Sequence, residues 1–157
     1  MKKIQVAING FGRIGRTVCR AMLQKKDIKV VAVNDLYDSL TLAHLLKYDS
    51  IHGVYDGKIA HGENFISVDG KKINIYSERD PQKLPWKKLN IDVVIESTGL
   101  FLNSESAKKH LTAGAKKVII SAPPEGNDIK SIVLGVNENV LSEEDKILDL
   151  CCGQGRH

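Results

Sequence analysis

Residues 2 to 16 read Lys-Lys-Ile-Gln-Val-Ala-Ile-Asn-Gly-Phe-Gly-Arg-Ile-Gly-Arg, an apolar run that breaks into three glycines. The pattern predicts a strand, a tight turn at Gly10 and a helix that begins near Arg13. Gly12 would leave room for a pyrophosphate beside the main chain, and Gly15 would let the helix lie close to the strand. Free N–H groups and the helix dipole favour anions at this point. The stretch therefore predicts a dinucleotide site.

The chain beyond this turn alternates strands with helices. Apolar residues at helical spacing predict an amphipathic helix over 13–25, and a dense apolar run predicts a buried strand over 30–33. The same patterns predict a helix over 39–47 capped by Asp38 or Ser39, a helix from Ser104 to His110, and strands over 92–96, 117–121, 132–136 and 146–150. This order predicts an α/β fold with a Rossmann-like, doubly wound and mostly parallel sheet.

The middle of the chain follows other patterns. Residues 65–76 alternate on both sides of Asp69-Gly70, which is the strongest short signal for a β-hairpin. We expect this hairpin to be inserted in the parallel sheet or to extend its edge. Residues 49–63 have no period and are rich in glycine, histidine and aspartate, which predicts an ordered loop. Leu84-Pro85-Trp86 predicts a short helical start.

Asp35 strengthens the dinucleotide interpretation. It stands at the end of the second predicted strand, twenty positions after Gly15. An acidic residue at that place accepts hydrogen bonds from the adenosine ribose hydroxyls. Because a carboxylate also repels a 2′-phosphate, Asp35 favours NAD over NADP. The alternative is an ordinary solvated residue at a strand end.

Further polar residues follow predicted strands or the hairpin. Thr98, Gly99 and Ser121 stand where parallel strands end, and ligands bind at the carboxyl ends of strands in an open parallel sheet. Arg79 follows the hairpin; taken alone, it is equally well explained as a surface cation paired with Glu78 or Asp80. The value of these residues is collective, since together they extend the predicted site beyond the glycines.

Composition limits the other function classes. The chain has 157 residues and 42% hydrophobic residues, enough for one domain with a buried sheet. The net charge of +4 comes from dispersed lysines without aromatic interleaving, which argues against a nucleic-acid site. Three cysteines predict neither a disulfide framework nor a zinc site, so no metal is expected. Neither a leader nor a membrane span is recognisable, which predicts a cytoplasmic protein.

Six motifs together resemble the cofactor domain of glyceraldehyde-3-phosphate dehydrogenase, over about residues 1–148. They are Ile-Asn-Gly-Phe-Gly-Arg-Ile-Gly-Arg at 8–16, Val-Asn-Asp at 33–35, Lys-Tyr-Asp-Ser-Ile-His-Gly at 47–53, Glu-Arg-Asp-Pro at 78–81, Glu-Ser-Thr-Gly-Leu-Phe at 96–101 and Ile-Ser-Ala-Pro at 120–123. The resemblance implies NAD as the cofactor. It also implies that the full enzyme oxidises glyceraldehyde 3-phosphate with inorganic phosphate through a cysteine thioester.

The same resemblance implies a role for each predicted cofactor-binding residue. Arg13 and Ile14 would lie against the pyrophosphate, beside the turn formed by Asn9, Gly10, Gly12 and Gly15. Asp35 would hold the adenosine ribose, and Arg79 would flank the adenine. The path to the nicotinamide would be lined by Thr98, Gly99 and Ser121.

The resemblance stops after residue 148, which we take as the end of the NAD-binding domain, with 149–157 as a divergent tail. The family continues as Ser-Asn-Ala-Ser-Cys-Thr-Thr-Asn, and in register its nucleophile falls on Gly153. Cys151 and Cys152 lie nearby without the Thr-Thr-Asn context. We therefore predict no catalytic residue in this chain, and an NAD-binding domain that is inactive alone.

The tail leaves alternatives open. Ile-Leu-Asp-Leu-Cys-Cys-Gly-Gln-Gly-Arg-His at 147–157 is similar to the first motif of class I methyltransferases, in which an Asp and a G-x-G turn bind S-adenosylmethionine. The chain is otherwise a non-catalytic NAD-binding or interaction module, a homo-oligomer, or a subunit that associates with a separate catalytic half. Each of these partners is an expectation to be tested.

Overall fold

The computed structural model describes residues 2–150. The α-helices of this part are α1 (Arg13–Leu23), α2 (Ser39–Lys47) and α3 (Ser104–Thr112). The strands are β1 (Ile4–Asn9), β2 (Ile28–Asn34), β3 (Tyr48–Asp49), β4 (Gly53–Val54), β5 (Ile59–Gly62), β6 (Phe65–Val68), β7 (Lys71–Tyr76), β8 (Val93–Glu96), β9 (Lys117–Ile120), β10 (Lys130–Ile132) and β11 (Ile147–Leu150). Cys151 and Cys152, the register position Gly153 and most of the methyltransferase-like tail lie outside the described residues.

The main sheet has nine strands in the order β10-β11-β9-β8-β1-β2-β7-β6-β5. Neighbouring strands from β10 through β7 pair in parallel, whereas β6 pairs antiparallel with both β7 and β5. β1 lies between β2 and β8, so the chain leaves β1 towards one edge and returns on its other side. This is a switch point, where the strand order reverses and ligands bind in α/β sheets. The fold is the predicted Rossmann-like α/β fold.

Alternation along the central strands places apolar side chains on both faces of the sheet. In β1, Val6 and Ile8 pack against the core under α1 and α2, whereas Ala7 packs on the opposite face against Trp86. Ala107 of α3 joins a third cluster on β9. Because successive strand residues point to opposite faces, both faces need a helical or loop cover. α1 and α2 provide the cover on the face of Val6 and Ile8, which places α1 next to β1.

The hairpin at the edge is confirmed, and it is larger than predicted. β6 and β7 pair around the Asp69-Gly70 turn, and β7 lies parallel to β2. β5 adds a third strand by pairing with β6, with Ile59 opposite Val68. The prediction that residues 49–63 form a loop is therefore wrong. Besides β5, this segment contains most of the β3–β4 pair. Pairing between short strands leaves no local period to detect.

Three other boundaries differ from the predictions. α3 is capped by Asn103, whose side chain accepts a hydrogen bond from Ser106 N at 2.8 Å, rather than by Ser104. The helical turn near Trp86 lies earlier, as a 3₁₀ turn over Pro81–Lys83. The strand expected over 132–136 is β10, which ends at Ile132, because the backbone turns at Gly135 with φ +81°. The predicted domain boundary at 148 falls inside β11, and the domain division stays a prediction.

Cys19 illustrates how α1 is sealed against the sheet. It is buried without a disulfide partner, and this burial raises the pKa of its thiol to about 12. Since the thiolate is the reactive form, we expect Cys19 not to react with an aromatic disulfide reagent at pH 8 in the folded Cys151→Ser/Cys152→Ser variant. It should react fully once denaturant is added. Reaction of Cys19 at the rate of a free thiol before unfolding would show that α1 opens readily.

Candidate functional site

A cavity of about 530 Å³ opens at the switch point, above the carboxyl ends of β1, β2 and β8. Six of the predicted cofactor-binding residues line it: Asn9, Gly10, Gly12, Asp35, Arg79 and Thr98. The remaining lining residues are Asn34, Leu36, Tyr37, Glu78, Ser97, Leu100 and Phe101. The cavity thus gathers residues that are far apart in the sequence at the edge where an open α/β sheet binds ligands.

Gly10 turns the chain from β1 towards α1 in the left-handed region, with φ +90°. A Cβ atom added there would lie 2.7 Å from Thr98 N and 2.8 Å from the Ser97 carbonyl carbon, both main-chain atoms. Gly15 packs against the Gly10 carbonyl oxygen, which a Cβ would overlap. The Ser97 hydroxyl donates a hydrogen bond to that same oxygen at 2.6 Å. The predicted roles of these two glycines therefore follow from close contact between α1, the turn and the end of β8.

The first turn of α1 faces the cavity with free main-chain donors. Gly12 is its N-cap, and no side chain in the described part of the chain caps it. Apart from its own chain neighbours, no described atom lies within 4 Å of the position that a Gly12 Cβ would take. Arg13 and Ile14 follow on the exposed surface of this turn. An uncapped helix start beside an open glycine fits a pyrophosphate, because the N–H groups and the helix dipole both favour an anion.

Asp35 connects the end of β2 to the glycine turn. Its Oδ2 accepts a hydrogen bond from Phe11 N at 2.7 Å, and its Oδ1 accepts one from Tyr37 N at 3.1 Å. Phe11 is itself buried, so this bond joins the carboxylate to a fixed part of the turn. Each carboxylate oxygen accepts two hydrogen bonds, which leaves acceptor capacity for ribose hydroxyls.

Arg79 lies on the exposed wall of the cavity, and its main chain is held from below. The Asn34 side chain donates to Glu78 O at 2.8 Å and accepts from Glu78 N at 2.8 Å. This pair of hydrogen bonds resembles one step of a strand ladder and fixes the segment that carries Arg79. Among the described residues, Arg79 makes no ion pair with Glu78 or Asp80 within 4.0 Å.

Gly99 and Ser121 lie near the cavity but not on its lining. Gly99 is exposed and has φ +75°. Ser121 follows β9, and its N–H donates to Glu96 O at 3.0 Å. The structure therefore brings Asn9, Asp35 and Thr98 together around the glycine turn, whereas Gly99 and Ser121 lie outside the cavity lining.

Sequence reasoning missed the polar residues beneath the cavity. Asn34, Glu96 and His110 are buried, and Trp86 packs beside them. Asn34 donates to Asn9 Oδ1 at 2.7 Å, and Asn9 donates to Glu96 Oε2 at 2.7 Å. The available signal was a polar residue that ends an apolar strand, as at Asn9, Asn34 and Glu96. The contact with His110 on α3 had no signal in the sequence.

The cavity also has an apolar side that the sequence did not predict. Leu36, Tyr37 and Leu100 line it with exposed fractions of 55%, 64% and 78%. Large apolar side chains that remain exposed at a cavity mouth are typical of ligand grooves or interaction sites. Such a mixed lining suits a ligand that has flat rings as well as charged groups.

Two other kinds of site were sought in the described part of the chain. Residues 2–150 contain no group of three or more His, Cys, Asp and Glu side chains that is arranged to hold a metal ion. No helix within the same residues is long and apolar enough to cross a membrane. The longest, α1, has 11 residues.

The sequence model of a family described as "Glyceraldehyde 3-phosphate dehydrogenase, NAD binding domain" matches residues 4–104, which include β1, the glycine turn, Asp35, Arg79 and Thr98. The chain belongs to this glyceraldehyde-3-phosphate dehydrogenase family. It is an NAD-binding domain of that family, so the predicted family, fold and cofactor are confirmed. The likeness of the tail to methyltransferases is not tested by this match and stays a prediction.

Individual glyceraldehyde-3-phosphate dehydrogenases are also similar in sequence to this chain. The chain is 58% identical to the enzyme of Thermotoga maritima over 146 residues, which are 92% of this chain and 44% of that enzyme. It is 55% identical to the enzyme of Mycoplasma pneumoniae over 147 residues, 94% of this chain and 44% of that enzyme. It is 48% identical to the cytosolic enzyme of Trypanosoma brucei brucei over 149 residues, 95% and 45% respectively. The chain therefore spans less than half the length of these relatives.

Proposed function

We propose that the cavity at the switch point holds NAD through the residues expected from the sequence. Asp35 binds the adenosine ribose, Arg79 flanks the adenine, and the start of α1 at Gly12, Arg13 and Ile14 receives the pyrophosphate. The observation that carries this proposal is the uncapped start of α1, open at Gly12 and fixed next to Asp35 by the Phe11 hydrogen bond. NAD bound there supplies a hydride acceptor.

The nicotinamide half of the cofactor is proposed to extend over β8. Because Asp35 follows β2 on one side of β1, the second half of a dinucleotide passes to the other side, where Thr98 lines the cavity. Gly99 and Ser121 lie next along this path and are proposed as its outer wall. Asn9 is proposed to support the turn from below, since its side chain is buried and bonded to Glu96.

We further propose that this domain serves the phosphorylating oxidation of glyceraldehyde 3-phosphate, a glycolytic reaction, and that this chain is inactive alone. That chemistry needs a reactive cysteine. Cys19 is the only cysteine of residues 2–150, and its burial and raised pKa exclude it as a nucleophile. Turnover then depends on a catalytic half. Formation of NADH from glyceraldehyde 3-phosphate and phosphate by the purified chain would overturn this part of the proposal.

Association follows from the same proposal. A homo-oligomer, or a complex with a catalytic half, is the expected state, and the domain division at residue 148 is part of it. The cytoplasm is kept as the proposed compartment; one relative is named cytosolic and another chloroplastic. Sedimentation of the purified chain tests the oligomer directly.

Asp35 provides the sharpest test of the cofactor proposal. We expect Asp35→Ala to weaken NAD binding by at least about tenfold, because it removes both the ribose acceptor and the bond to Phe11. Arg79→Ala should weaken binding only about threefold, since Arg79 is exposed. Isothermal titration calorimetry with NAD and with NADP measures both effects.

A matched control for this test is Asp27→Ala, which removes an exposed carboxylate that is remote from the cavity lining. It should leave the NAD affinity unchanged. The wild-type preference for NAD over NADP should shrink in Asp35→Ala, because the repulsion of the 2′-phosphate is lost. Absence of heat with NAD at millimolar concentration would contradict the proposal, and tighter binding of S-adenosylmethionine would support the methyltransferase alternative.

A further inference from the structure

Glu96 ends β8 beneath the cavity and is 1% exposed. Its carboxylate accepts four hydrogen bonds from three residues. Oε1 receives the Thr98 main-chain N–H at 2.9 Å and the Thr98 hydroxyl at 2.5 Å. Oε2 receives the Asn9 amide at 2.7 Å and lies 2.7 Å from His110 Nε2. Four donors fill the acceptor sites of a carboxylate, which is how a buried charge is stabilised without a cationic partner.

The proton positions in this cluster follow from Trp86. Its indole Nε1–H is a donor only, and it points at His110 Nδ1 at 3.0 Å. His110 Nδ1 must therefore be the acceptor, which leaves the ring proton on Nε2, and this proton is donated to Glu96. The imidazole is fixed as one neutral tautomer, so Glu96 receives a hydrogen bond from it and no positive charge.

The same reasoning applies to Thr98. A threonine hydroxyl has one proton, and in this structure it is donated to Glu96 Oε1. The hydroxyl oxygen also accepts a hydrogen bond from Leu100 N at 3.1 Å. Because a hydroxyl oxygen has two lone pairs, one acceptor position remains on Thr98, which lines the cavity. Thr98 therefore offers an acceptor and no donor.

We propose that Glu96 is a positioning residue which sets Thr98 as a hydrogen-bond acceptor for the nicotinamide-bearing half of the cofactor. An acceptor at this wall selects ligand groups that donate, namely a ribose hydroxyl or a carboxamide NH₂, and disfavours phosphate oxygens. The inference rests on the proposed NAD site and specifies the chemistry of its β8 side. The adenosine side is held by Asp35, whose carboxylate accepts hydrogen bonds from Phe11 N and Tyr37 N.

The consequence is a split between ligands that reach Thr98 and ligands that do not. NAD contains both the second ribose and the carboxamide, ADP-ribose lacks the nicotinamide ring, and ADP lacks both. We expect Thr98→Val to weaken NAD binding about fivefold to tenfold, which is the value of one hydrogen bond. The affinity for ADP should change less than about twofold. Thr98→Ser keeps the hydroxyl and should restore NAD binding to within about twofold of wild type.

Glu96→Gln tests the role of the Glu96 carboxylate itself. The glutamine amide would face Thr98, because the Thr98 hydroxyl can rotate to accept whereas Asn9 and His110 on the other side only donate; the Thr98 main-chain N–H then loses its acceptor. The Thr98 hydroxyl would then accept from the amide and turn its proton towards the cavity. NAD should bind about tenfold more weakly, with ADP changed much less. Glu105→Gln, which removes an exposed carboxylate in the first turn of α3, is the matched control and should leave both affinities unchanged.

Calorimetry with the three ligands, together with the unfolding temperature of each variant, decides the inference. If the variants lose affinity for ADP-ribose as well as for NAD, the recognised donor is a ribose hydroxyl. If their affinity for ADP-ribose changes as little as that for ADP, the donor is the carboxamide. Both results support the proposal. Equal losses for NAD and ADP, or no loss for either, would overturn it. Should Glu96→Gln not fold, the Thr98 pair decides alone. A wild-type chain that binds neither NAD nor ADP contradicts the proposed function instead.

Discussion

Gly15→Ala is expected to lower the free energy of unfolding by about 2 kcal/mol and to weaken NAD binding at least about thirtyfold. The methyl group would overlap the Gly10 carbonyl oxygen and lie 3.0 Å from Ser97 Oγ. Alanine gains about 1 kcal/mol over glycine in a helix interior. This gain is smaller than the cost of moving α1 away from the turn, since the obstructing atom is main chain and cannot rotate aside. Urea unfolding and calorimetry with NAD measure the two effects.

Gly12→Ala is the matched control for this prediction. Apart from its chain neighbours, no described atom lies within 4 Å of its added Cβ, and the φ of −74° suits alanine. The free energy of unfolding should change by no more than about 0.5 kcal/mol. NAD affinity should still fall about tenfold, because the methyl group occupies the open side of the helix start. Equal stability losses in the two variants would show that α1 tolerates displacement and that Gly15 is not a packing requirement.

His110→Leu is expected to lower the free energy of unfolding by about 3 kcal/mol. The ring is fully buried, and its loss leaves the Trp86 indole N–H without its acceptor and Glu96 Oε2 with one donor fewer. Leucine has a similar volume, so the loss comes from unpaired polar groups rather than from a cavity. Urea unfolding followed by far-ultraviolet circular dichroism gives the value.

His44→Leu is the corresponding control, because His44 is exposed on α2 and contacts the Tyr48 ring with centroids 4.8 Å apart. Its free energy of unfolding should stay within about 0.5 kcal/mol of wild type. If both histidine variants lose the same amount, the buried cluster contributes nothing beyond ordinary side-chain replacement. If only His110→Leu is destabilised, the stability lies in the bonds that join α3 to the end of β8.

The predictions that succeeded depend on local geometry. Gly10 and Gly15 were recognised because positive φ values and close helix packing require glycine wherever they occur. The Asp69-Gly70 hairpin was recognised because its turn conformation is encoded by two adjacent residues. β5 was missed since its pairing with β6 depends on a neighbouring strand rather than on its own pattern. The start of α3 was placed one residue late, at Ser104, because asparagine and serine both cap helices and only the folded chain shows that Asn103 accepts the hydrogen bond.

The sequence by itself determined the α/β fold, the glycine turn and the position of Asp35, because periodicity and glycine conformation act over a few residues. Only the tertiary structure decided how the floor of the site is built. Asn9 meets Glu96 across 87 positions and lies near His110 across 101. Such contacts depend on which strands become neighbours, and a buried polar group finds its partner only after the sheet has brought the strand ends together. The glycine turn lines one part of the cavity, and Glu96 is bonded to Thr98, which lines another.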